Sequence, residues 1–176
     1  WETDRDGARE IGSAGRFTIL PAMEEDEYKS TYNELASVRC VFEKALTNNH
    51  ARCSHARHFC LADREGYYCA DITASQRCDS LLQQLRKKSQ FVFKVHNIAD
   101  TLPHKMEIRV QAGGVRGTAS LSGVAPAEAG SSSMVEDISN AIDRAVEKFG
   151  SLDDLPYSKI VQSIEQFQGR KRRHKR

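Results

Sequence analysis

Apolar residues recur at three- and four-residue steps over several long stretches, a spacing that predicts a mainly α protein. Residues 24–48 carry Tyr28, Tyr32, Leu35, Val38, Phe42, Ala45 and Leu46 on such steps and predict a first long helix, stopped by Asn48 and Asn49. Thr73-Ala-Ser-Gln76 has capping-box spacing. It opens a second long helix that carries Cys78, Leu81, Leu82, Leu85 and Val92 on one stripe and ends before Asn97. Residues 50–72 lack a helical period and read as a loop rich in Cys, His and Arg, with one helical turn near Phe59 to Arg64. A loop that long inside a compact domain is usually functional.

After Leu102-Pro103, the residues Met106, Ile108 and Val110 alternate with polar neighbours, and Gly113-Gly114 reads as a turn into a weaker segment ending at Leu121. That pattern predicts a small β-hairpin. Residues 123–133 have the composition of a flexible linker. Ser133-Met-Val-Glu136 then has capping-box spacing and opens a helix with Val135, Ile138, Ile142, Ala145, Val146 and Phe149 on one face, closed by Gly150. A last helix follows Ser151 to Pro156, with Ile160, Val161, Ile164 and Phe167 inward and Gly169 at its end. Two helices this short need a surface to dock on. The expected fold is therefore mainly α (α+β): two long helices flanking a Cys-rich loop, a small β-hairpin and a C-terminal helical hairpin.

Charge divides the chain further. Arg170, Lys171, Arg172, Arg173, Lys175 and Arg176 supply six of its 26 basic residues; without them 20 basic residues face 24 acidic ones. An acidic body with a basic tag is not the spread of charge that a nucleic-acid-coating protein carries. The expected organisation is an acidic arm over 1–23, a Cys-cluster helical domain over 24–122, the linker 123–133, a helical hairpin over 134–169 and a basic tail over 170–176. No apolar run is long enough to span a membrane. The phosphate-binding GxxxxGK[ST], dinucleotide GxGxxG, zincin HExxH and hydrolase GxSxG motifs are all absent. Glu43, Asp63, Glu65 and Asp71 pair with no nucleophile and read as solvated charge, so no catalytic residue is assigned.

The chemistry lies in five cysteines, Cys40, Cys53, Cys60, Cys69 and Cys78, confined to one short stretch. An odd number so placed is a poor disulfide framework and points to a reducing, cytoplasmic setting. No CxxC occurs. Tight pairs serve zinc ribbons and fingers because one turn presents both sulfurs to one ion, whereas wide spacing suits a larger cluster gripped from several elements. Arg39, Arg52 and Arg77 each precede a cysteine, and adjacent positive charge favours thiolate. At about 100° per residue, Cys40 falls roughly 160° from the middle of its helical stripe, away from the core. Cys78 sits near a helix N-terminus, while Phe59-Cys60-Leu61-Ala62 reads as a buried structural thiol.

These residues predict an iron–sulfur cluster, [4Fe–4S] favoured, on Cys40, Cys53, Cys69 and Cys78. Its bearer would act in electron transport or as an accessory subunit of a larger redox complex, with a protein partner. The alternative is a zinc-stabilised adaptor that uses His50, His55 and His58 among the cysteines and touches nucleic acid through 170–176. Against that alternative, the chain lacks aromatics interleaved with Arg and Lys as stacking platforms.

Overall fold

A computed structural model of the chain describes residues 38–61, 64–94, 102–123 and 134–168, together with residues 26 and 30. The described elements are α1 (Glu43–Thr47), β1 (Ala56–Leu61), β2 (Arg64–Cys69), α2 (Ile72–Phe93), α3 (His104–Ser122), α4 (Ile138–Phe149) and α5 (Tyr157–Gln166). The protein is thus mainly helical with one small antiparallel hairpin, the class its apolar spacing predicts. The acidic arm 1–23, residues 124–133 of the linker and the tail 170–176 lie outside the described residues. No described helix is long and apolar enough to cross a membrane.

The hairpin is not where the alternation suggested. β1 and β2 pair from Ala56↔Cys69 to Leu61↔Arg64, inside the stretch read as a loop, while the residues read as a hairpin are the helix α3. Helical period was hidden in α3 because polar or small residues hold many of its inward positions: Glu107, Gln111, Gly113, Gly114, Gly117 and Thr118 are all buried. Gly113 and Gly117 make no turn. A Cβ on Gly113 would come within 2.7 Å of the Ile164 Cα, and one on Gly117 within 2.9 Å of the Ile160 Cα. The two glycines, four residues apart, are what lets α3 and α5 touch backbone to backbone.

The first long helix also needs correction. Only Glu43–Thr47 is helical between residues 38 and 48, because Arg39 makes a β-bridge with Tyr68. The Cys40 N–H donates to the Tyr67 carbonyl (3.0 Å), and the Cys69 N–H donates to the Val38 carbonyl (2.8 Å). Residues 38–40 therefore extend the hairpin by a third short edge. Asn49, with φ of 55°, ends α1 in the left-handed region that Asn tolerates. The cap positions shift as well. Asp71 caps α2 by accepting the Ala74 N–H (2.9 Å), and Asp137 caps α4 by accepting the Ser139 N–H (3.0 Å). Val135 lies before α4 in a parallel bridge with Ala51.

α4 and α5 both pack on α3, and α5 also packs on α2. Leu81, Leu82 and Leu85 of α2 share one apolar core with Val110 and Val115 of α3, Ile138 and Ile142 of α4, and Ile160 and Ile164 of α5. Burial of these side chains is the main stabilising term, at about 1.5–3 kcal/mol each. The core leaves the hairpin, residues 38–42 and the starts of α2 and α4 gathered at one end, around the cysteines.

Candidate metal centre

Four thiols converge there. A cavity open on one side is lined by Cys40, Cys53, Cys69 and Cys78, with Val41, Phe42, Ala56, Ala74 and Ile138 as apolar walls and His55, Ser75 and Ser139 between them. Each cysteine comes from a different piece of chain. Cys40 is on the edge beside β2, and Cys53 is in the loop before β1; Cys69 ends β2, and Cys78 is in the second turn of α2. The loop of Cys53 is held by the far end of the sequence: Arg52 donates its N–H to the Val135 carbonyl (2.8 Å), Ile138 donates to the Arg52 carbonyl (2.9 Å), and Ser54 donates to the Asp137 Oδ1 (3.2 Å).

The free space at the centre is about 10 Å³, room for one water-sized sphere. No three of the four sulfurs lie within 4.8 Å of one another. A tetrahedral zinc with Zn–S bonds of about 2.3 Å needs its sulfurs about 3.8 Å apart. The set is wider than a preformed single-ion cage.

Burial governs the electrostatics. It pushes the Cys40 and Cys78 thiols from an ordinary 9.0 up to about 12, and it raises Cys53 as well. Negative charge on Cys53 or Cys69 would raise Cys40 and Cys78 further. The opposing influence is backbone N–H donation, from Phe42 toward the Cys40 sulfur and from His55, Ser139 and Ala56 toward the Cys53 sulfur. Cys69 donates its S–H to the Asp71 carbonyl (3.1 Å). Without a bound cation, then, the site favours protonated thiols; four thiolates require a compensating positive charge.

The flanking arginines do not lower these values as their adjacency suggested. Arg39 pairs with Glu43 (2.7 Å), Arg52 lies 3.9 Å from Glu136, and Arg77 pairs with Asp143. Only Arg77 lowers its neighbour, as the smallest influence on Cys78. Glu43 is no solvated charge either, since its second oxygen accepts the Tyr67 N–H (3.3 Å) and clips α1 to β2. Cys60, read as buried, is exposed on β1 and lines no part of the cavity.

The histidines scatter instead of forming one mixed set. His50 meets the Phe167 ring edge-on at 4.9 Å, and burial, then the Arg116 charge, hold its pKa below the usual value. His55 lines the cavity 4.0 Å from Asp71, and His58 sits out on the hairpin. Ser139 and Asp137 were invisible as site residues, because nothing local to residues 134–139 signals a partner more than 80 residues away. Comparison with known proteins gives no match to a family model, a curated protein or a solved structure.

Proposed function

We propose that Cys40, Cys53, Cys69 and Cys78 hold an iron–sulfur cluster, with [4Fe–4S] favoured, and that the protein acts in electron transfer or as an accessory subunit of a larger redox assembly. The observation that carries this reading is the convergence of four cysteines from four segments on one apolar-walled cavity that excludes the fifth. Wide-set sulfurs favour a cluster over a single ion. Backbone N–H groups aimed at sulfur are among the means by which proteins tune cluster potential, and Cys40 and Cys53 have them. A cube needs more than the present 10 Å³, so the walls have to yield. Cys40 and Cys53 lie outside any helix or strand, but hydrogen bonds hold Cys40 to Tyr67 and Arg52 to Val135, and enlarging the cavity there would have to displace them.

When bound, the cluster would supply one-electron chemistry; the chain supplies four thiolates, apolar shielding and N–H dipoles. Anaerobic purification followed by iron and acid-labile sulfide analysis tests the proposal. About four of each per chain are expected for the cube, lost on alanine substitution of any of the four cysteines and kept on Cys60→Ala. Stoichiometric zinc in place of iron, or no metal at all, overturns it.

A further inference from the structure

The outer end of the hairpin carries a second set of metal-ligating side chains that the cysteine cavity does not use. His58 and Cys60 are two residues apart on β1 and so share a face; Cys60 stands directly opposite Glu65 in the register, and His58 opposite Tyr67. The His58 Nε2 lies 3.9 Å from the Cys60 Sγ and 3.7 Å from the Glu65 Oε2, and the three donor atoms lie within 4.8 Å of one another. Tetrahedral zinc with ordinary Zn–N, Zn–O and Zn–S bonds places such pairs about 3.4 to 3.6 Å apart. The two His58 pairs need to close by only a few tenths of an ångström, and the Cys60–Glu65 pair lies within the same 4.8 Å. The Tyr67 ring packs on the His58 imidazole with centroids 4.9 Å apart and restricts its rotation.

We propose that His58, Cys60 and Glu65 form a zinc site on the exposed face of the hairpin, separate from the cysteine cavity, with water in the fourth position. The donor chemistry matches the ion: a thiolate, an imidazole and a carboxylate are the three ligand types zinc takes, and three protein ligands plus water is its open-site arrangement. All three side chains reach solvent, so a hydrated ion has open access to them. Binding displaces the Cys60 proton to solvent and converts the existing His58–Glu65 contact into a shared ligation. The face continues inward to the Ala56↔Cys69 pair, four positions away along the ribbon. At about 3.3 Å per residue that is about 13 Å from Cys60, and about 7 Å from His58.

The test is site-specific alkylation of the metal-free 176-residue chain, with modification at Cys60 followed by peptide mass spectrometry in the presence and absence of zinc. Saturating zinc should slow Cys60 alkylation at least about tenfold, and His58→Ala or Glu65→Gln should restore the zinc-free rate. Cys53→Ala, which alters the cavity alone, should keep the protection. An unchanged Cys60 rate in excess zinc overturns the proposal, as does protection that survives both hairpin substitutions or disappears in Cys53→Ala. Far-UV circular dichroism on each variant verifies that the fold is intact. The cavity's iron content is a separate measurement, so either site can fail without the other.

Discussion

Arg86 grips Glu107 with two guanidinium nitrogens, at 2.6 and 3.2 Å, and so joins α2 to α3 beside the core. The Glu107 side chain is only 3% exposed. The link continues inward, because Gln111 donates to the Glu107 Oε1 (2.8 Å) and accepts the Ala45 N–H (3.2 Å), which ties in α1. A carboxylate so placed is tolerable only while its partners stay.

Arg86→Ala should therefore destabilise the protein by about 3 kcal/mol, the lower end of the range for breaking a buried pair, because Arg86 itself reaches solvent. Urea unfolding measures it. The double substitution Arg86→Met with Glu107→Met should be milder than Arg86→Ala alone, since it leaves no orphaned charge. Equal or greater loss in the double variant would remove the ion pair from its structural role.

Gly113→Ala and Gly117→Ala should each lower stability, against the gain of about 1 kcal/mol that alanine brings to an ordinary helix interior. The added methyl meets α5 backbone, which cannot rotate away, and overpacking of this kind costs about 1–3 kcal/mol. Thermal melts of the two variants check this; an unchanged or raised midpoint would mean that α3 and α5 separate at little cost.

In the metal-free protein the five cysteines should react in a definite order. Cys60, exposed on β1, should alkylate first at pH 8, and Cys40 and Cys78 should lag because burial both shields them and keeps them protonated. Peptide mapping over a time course gives the order. Fast labelling of Cys40 or Cys78 in a folded sample would contradict the burial of the cavity.

Stability of the metal-free protein should depend on alkaline pH. Cys40 and Cys78 have folded values near 12 against an ordinary 9.0, so the unfolded chain loses their protons first as pH rises. Their contribution is complete below about 9 and is lost as pH climbs from 9 toward 12. Tyr157, raised to about 12 by burial, adds a loss of the same sign, its O–H donating to the Leu152 carbonyl (2.7 Å). The variant Cys40→Ala with Cys78→Ala should show a shallower decline in melting temperature over that range. An identical slope would mean that these thiols are not shifted.

Binding of the cavity's metal should release protons, because thiols held above 9 must ionise to ligate. Metal uptake in weakly buffered solution with a pH indicator should show acidification that is smaller in Cys78→Ala. No proton release during full loading would exclude the thiols as ligands.

The helical class, the apolar faces of α2, α4 and α5, and the stop at Asn48 and Asn49 were legible in the sequence, because each depends on contacts within a few residues along the chain. The proposed ligand set Cys40, Cys53, Cys69 and Cys78, apart from Cys60, rested on local context, and most of its reasons do not hold, the place of Cys78 near the start of α2 being the exception. Cys40 is not helical, the arginines turn to carboxylates, and Cys60 is exposed instead of buried. Tertiary structure alone decided the hairpin, since both faces of a two-stranded ribbon at the protein's edge reach solvent and leave no apolar alternation. It alone decided α3, many of whose inward positions are glycine, Glu107, Gln111 and Thr118, residues that read as surface until α5 and Arg86 cover them. The anchoring of Cys53 to residues 135–138 is likewise a matter of tertiary structure. Two of its three hydrogen bonds run between backbone groups more than 80 residues apart, and backbone groups carry no signature in the order of side chains; the third ends on the Asp137 carboxylate, whose local role is only that of a helix cap.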